Sequence, residues 1–171
     1  MKRFWLASLL LLSFSLAWAE GSDKSSFAVR VVTKLADRSS FSEDYRFVQN
    51  TLGTTCSVVK HTEASPGAVN ITFDCPLSSG LGRVSVYSIS EPNGTNLMMF
   101  VEAILRPGSY EEIRKSIRQK LGAPSSDRKG YTRWVLDSFG PLAENGTPII
   151  SLKLDRATGG AVFLLGREQG P

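Results

Sequence analysis

Histidine occurs once and cysteine twice in the 171 residues. Beyond the first nineteen residues no apolar run is long enough to span a bilayer. A structural zinc site, which takes about four Cys or His ligands, has too few donors. A hydrolytic triad would have to rest on His61, and no G-x-S-x-G turn presents a serine to it. No glycine-rich loop stands between a strand and a helix, so a phosphate cradle is missing. Charge of one sign is also lacking: 20 Lys+Arg stand against 16 Asp+Glu, with no basic block. That balance leaves no nucleic-acid footprint. Glu102, Glu112 and Asp137 could supply the carboxylate pair of a glycosidase, but their spacing does not pair them. No cofactor and no metal is expected.

The chain is not poor in core-forming residues. At 42% apolar it is not disordered, collagen-like or a multi-span membrane protein. Residues 1–19 read MKRFWLASLLLLSFSLAWA. Lys2 and Arg3 precede an apolar stretch from Phe4 to Leu16, and Ala17-Trp18-Ala19 forms a cleavage site ahead of Glu20. This is the pattern of a secretory leader, too short for a membrane anchor. The leader holds two basic and no acidic residues, so its removal leaves 18 basic against 16 acidic. Residues 20–171 are expected to form one globular domain, periplasmic or secreted, with no membrane span after cleavage.

An exported chain meets an oxidising compartment, where paired cysteines bond. Cys56 and Cys75 flank two strand-like runs around Ser65-Pro66-Gly67. A hairpin symmetric about Ser65-Pro66 puts Cys56 opposite Cys75, Val58 opposite Phe73 and Lys60 opposite Ile71. That register predicts a cross-strand disulfide and leaves His61 on the other face as an ordinary exposed residue. The spacing is not C-x-x-C, which argues against a redox pair.

Two segments match at a fixed offset: SFSEDYRFVQNTLG (40–53) and SYEEIRKSIRQKLG (109–122). Ser40 and Ser109 read as N-caps, with Glu43 and Glu112 completing capping boxes. Phe41, Tyr45, Val48 and Leu52 form one helical stripe; Tyr110, Ile113, Ile117 and Leu121 form another. Gly53 and Gly122 close the helices. A strand-like run precedes each, FAVRVVTKL (27–35) and LMMFVEAIL (97–105), and three more follow each. The pattern predicts an α+β fold built from a tandem β-α-β-β-β repeat, over about 27–89 and 97–166. The two copies would share one antiparallel sheet, with both helices on one face. Strands 97–105 and 161–166, apolar on both sides, would be central or covered.

The run IRQKLGAP, then RWVLD, then IISLKLDRATGGAVFLL resembles the exported α/β repeats of the β-lactamase-inhibitor-protein-like group and of the small outer-membrane-assembly lipoproteins. The resemblance spans Ile113–Leu165 and is fainter over Ser40–Ile89. It implies a binding module whose sheet and loops grip another protein. Two features depart from that pattern: no lipidation Cys stands at the cleavage site, and each helix is single and strand-preceded where the group has a helix pair.

Alternation along the strands suggests where binding would occur. Tyr131 and Arg133 alternate with Trp134, Lys153 with Leu152 and Leu154, and Arg30 and Lys34 with Val29, Val31 and Leu35. Tyr131, Arg133, Lys153, Arg30 and Lys34 would then give one sheet face an aromatic and basic character, while Trp134 enters the core. The expectation is an exported, non-enzymatic module of the bacterial envelope, inhibitor or assembly factor, that binds an envelope or extracellular protein. The alternative is an envelope hydrolase acting on cell-wall or glycan material. Three N-x-T sequons occur, at Asn70, Asn93 and Asn145, and in a glycosylating host Asn93 and Asn145, at Asn-Gly turns, would be the exposed acceptors.

Overall fold

A computed structural model describes residues 26–136 and 145–168. The leader, Asp137 and most of the long loop at 139–146 lie outside the described residues. The elements run α1 (Phe27–Leu35), α2 (Tyr45–Leu52), β1 (Ser57–Ser65), β2 (Ala68–Asp74), β3 (Leu81–Ser90), β4 (Asn96–Leu105), α3 (Tyr110–Leu121), β5 (Ser126–Arg128), β6 (Tyr131–Val135), β7 (Thr147–Leu154) and β8 (Ala161–Glu168). The strands form one eight-stranded antiparallel sheet in the order β1-β2-β3-β4-β8-β7-β6-β5. The α+β class, the shared sheet and the central place of β4 and β8 agree with the sequence pattern.

The run 27–35 is a helix, contrary to the strand expected there. Its valines favour strands only weakly, because β-branching costs a helix a few tenths of a kcal/mol per residue. Ala28, Val31, Val32 and Leu35 stand at i, i+3, i+4 and i+7, and all are buried. The adjacent Val31 and Val32 break strict alternation, and Ser26 Oγ accepts from the Val29 N–H at 3.3 Å. The eighth strand is instead β5, three residues long, which periodicity could not reveal.

The capping boxes do not form. Ser40 sits inside a short 3₁₀ helix, Arg38–Ser42, and α2 starts later, capped by Asp44, whose Oδ1 accepts from the Arg46 N–H at 2.8 Å. Ser109 occupies the N-cap position of α3, but its hydroxyl donates to the Arg106 carbonyl at 2.8 Å. Glu112 stays exposed in the first turn, where its charge still suits the helix dipole. Gly53 and Gly122 do close their helices, with φ of 57° and 83°.

All three helices pack on one face of the sheet. Val84, Val101, Ala103, Phe163, Leu165, Ile150 and Trp134 meet Leu35, Phe41, Val48, Ile113 and Ile117 in one core. Tyr110 Oη lies 3.1 Å from Thr132 Oγ1, and the Arg114 guanidinium reaches both Thr132 and Asp127, the latter at 2.5 Å. These contacts fasten the short edge strand β5 to α3, and the Arg114 charge holds the Asp127 carboxyl below its ordinary pKa.

The Cys56–Cys75 disulfide is present. Val58 faces Phe73 as expected, but Val59 is bulged, and Lys60 pairs with Thr72 rather than Ile71. Beyond the bulge the faces exchange. His61 pairs with Ile71 and stands 5.7 Å from the Tyr45 ring, so it lies on the helix side rather than the opposite one.

One ion pair joins the helices. Lys120 Nζ contacts Asp37 Oδ2 at 2.8 Å and donates to the Thr33 carbonyl at 2.9 Å. With a hydrogen bond from the Ser39 N–H as well, the Lys120 contact lowers the Asp37 pKa to about 2. A folded carboxyl titrating below the unfolded value near 4 adds stability above about pH 4 and loses it as pH falls towards 2. Asp37→Asn should therefore lower the urea midpoint near neutrality, and the gap from wild type should close by about pH 2. An equal gap at both ends of the titration would contradict this role.

Candidate sheet-face binding site

Because Thr132 and Trp134 point to the helices, their neighbours Tyr131, Arg133 and Val135 point the other way. No described helix or strand packs on that face. Cross-strand register lines its side chains into rows. One row runs Arg128, Tyr131, Lys153, Val162, Ile104. The next runs Ser126, Arg133, Ser151, Leu164, Glu102, Ser85. A third holds Val135, Ile149, Gly166, Phe100 and Tyr87.

The middle of the face is apolar apart from the half-buried Glu102, and Arg128, Arg133 and Lys153 charge one margin. Phe100, Val162 and Leu164 are half-buried, and Ile104 is 43% exposed. Gly166 lies beside Phe100: a Cβ there would stand 3.3 Å from Leu164 Cδ2 and 3.9 Å from Phe100 Cδ2. The missing side chain leaves room for the ring to lie against the strand. Arg133 pairs with Glu168, while its Nε is buried without a hydrogen-bond partner.

Three of the five binding residues read from the sequence come together here. Tyr131 and Lys153 are direct cross-strand partners, and Arg133 follows Tyr131 on the same face. Arg30 and Lys34 are not on the sheet. They sit on α1, on the far side, with Arg30 6.0 Å from the Phe27 ring and Lys34 Nζ 5.5 Å from the Phe47 ring. Their misplacement follows from reading a helix as a strand.

At the Tyr131 end of the face lies a hollow of about 670 Å³ lined by Lys129, Gly130, Tyr131, Lys153, Leu154, Asp155, Arg156, Ala157 and Val162. Sequence reasoning missed Lys129 and Arg156. Both flank turns, where alternation carries no information, although their charges beside Gly130 and the Thr158-Gly159-Gly160 turn were visible. Gly130 has φ of +79°, which lets the β5–β6 turn fold back over Leu154. Asp155 accepts from the Ala157 N–H at 3.0 Å and from Thr158 Oγ1 at 2.6 Å. Those bonds hold its carboxyl below the ordinary pKa and turn it into the β7–β8 loop.

Of the carboxylates considered for hydrolysis, Asp137 lies outside the described residues, and Glu102 and Glu112 are not brought together. Glu102 lies on the open face and Glu112 on a helix on the other side of the sheet. Among the described residues no three His, Cys, Asp or Glu side chains gather as a metal site would require, and no helix is long and apolar enough to cross a membrane. The chain matches no protein-family model, no curated protein and no solved structure.

Proposed function

We propose that this chain is an exported, non-catalytic binding module of the bacterial envelope, and that its open sheet face grips a protein partner as an inhibitor or assembly factor. The observation that carries the reading is the open face itself. A broad antiparallel surface with half-buried Phe100, Val162 and Leu164 around a single acid, Glu102, at its middle and Tyr131, Arg133 and Lys153 at its margin has the mainly apolar centre and polar rim of a protein interface. Tyr and Arg are the residue types that most often dominate such interfaces. Export rests on the leader pattern; a disulfide and the lack of a described membrane-crossing helix are compatible with it.

The helix pair α1–α2 ahead of the first strands fits the helix pair of the β-lactamase-inhibitor-protein-like pattern in the first half, while α3 stays single and strand-preceded in the second. The duplication that fits this topology is a helix followed by a four-stranded meander. The first unit is α2 with β1–β4 and the second is α3 with β5–β8, so the strand 97–105 ends the first unit instead of opening the second.

The test is affinity capture of the leaderless protein from its own envelope extract. Tyr131→Ala with Arg133→Ala should weaken retention of the captured partner by about 2 kcal/mol or more. Fold stability should change little, since the Arg133–Glu168 pair is partly exposed. His61→Ala should leave binding intact. Normal binding by the double variant would sink the sheet-face reading. Loss of a hydrolytic activity in a folded His61→Ala protein would establish the enzyme instead.

A further inference from the structure

We propose that the hollow at the Tyr131 end of the sheet face takes an acidic peptide segment of the partner, with carboxylates at the lip and an apolar or aromatic side chain inside. This rests on the binding-module reading above and names the chemistry that reading leaves open. The hollow, at about 670 Å³, is of ligand-pocket size and far larger than a single carboxylate needs. Its inner wall is Tyr131 and Val162, whose side chains share the open face. Its lip carries three cations, Lys129, Lys153 and Arg156. None of the three makes an ion pair among the described residues.

The one acid in the lining, Asp155, offsets one of the three charges and leaves the other two in excess. Both Asp155 oxygens are occupied by the β7–β8 loop, at Ala157 N and Thr158 Oγ1. The site therefore presents excess positive charge around an apolar floor, which complements a carboxylate carried on an apolar stem. Its position favours a peptide over a free anion. Tyr131, Lys153, Val162 and Ile104 form one cross-strand row, so the hollow opens directly onto the apolar middle of the face. A chain lying across the face would run into it without a break.

The probe is a fluorescein-labelled alternating Glu-Tyr peptide, read by fluorescence anisotropy against the leaderless protein, with alternating Ser-Tyr and Lys-Tyr peptides alongside. The acidic peptide should bind at least about tenfold more tightly than the neutral one and should weaken as salt is raised. Lys153→Glu with Arg156→Glu should cost about tenfold or more in affinity at an unchanged melting temperature. Lys129→Glu with Arg156→Glu, confined to the turns, gives the same reading if the β7 change harms folding. Equal binding of the neutral peptide, or no effect of either charge reversal, would overturn the proposal. So would displacement of the peptide by inorganic phosphate at millimolar levels, or tighter binding of polygalacturonate, since these mark a small-anion or a glycan site. Partner capture that survives the charge reversals but not Tyr131→Ala with Arg133→Ala removes the acidic segment and leaves the binding module standing.

Discussion

Trp134→Ala is expected to lower unfolding stability by about 4 kcal/mol, the scale of a large aromatic removed from a packed core. Trp134 is 2% exposed and sits on β6 between Thr132 and Leu136, beneath α3. Its indole Nε1–H donates to the Gly122 carbonyl at 3.1 Å, so one side chain fills the core and also ties down the C-terminus of α3. Trp134→Phe separates the two roles. It retains much of the volume and loses the hydrogen bond, for an expected cost of about 1 kcal/mol. Urea unfolding of wild type and both variants is the measurement. A cost under about 1 kcal/mol for Trp134→Ala would mean that the core beneath α3 is not packed as described.

Replacing Cys56 and Cys75 together by Ala should lower stability by about 3 kcal/mol, from the loop entropy returned to the unfolded chain. The melting temperature should fall by roughly 8 °C for a domain of this size. The loss should concentrate in β1. Every residue of that strand is exposed, including Val58 at 46% and Val59 at 57%, so among the described residues it is held mainly by the ladder to β2 and the covalent tie beside it, with the His61–Tyr45 ring contact in addition. Hydrogen exchange should therefore show β1 amides opening first once the bond is gone, with β4 and β8 still protected. Identical melting of reduced and oxidised protein would count against the bond as a stabiliser. Free thiols at both positions in a non-reduced digest of exported protein would remove it altogether.

What was legible in the sequence follows from how local each signal is. The strands from β1 to β8, apart from β5, were readable because each run alternates or is apolar throughout, and turn residues such as Gly67, Gly94 and Gly159 punctuate them. The disulfide was readable from hairpin symmetry, but the Val59 bulge was not, and it moved His61 to the helix side. α1 was misread because valine content outweighed the i, i+3, i+4, i+7 spacing. The Ser40 cap failed because Asp44 and the 3₁₀ turn before it take its place at the start of α2, and the Ser109 cap because its hydroxyl donates to the Arg106 carbonyl instead. Tyr131, Arg133 and Lys153 were found by alternation alone, which is sufficient on a flat face. Lys129 and Arg156 belong to turns, and only the folded chain shows that the two turns meet.

The strand order also sets when the fold can close during synthesis. The two meanders meet through their final strands, so Ala103 on β4 waits for Phe163 on β8, about 60 residues downstream. The first meander can pair and oxidise early, since both cysteines lie within it. Its inner margin, Phe100–Leu105, stays an unpaired, apolar edge until residues 161–166 arrive. A chain whose emergence halts before that point leaves a half-sheet whose most adhesive border is the one destined for the interior. The finished protein keeps its longest open edge at β1 instead, where the two register irregularities disrupt the regular ladder a second chain would need.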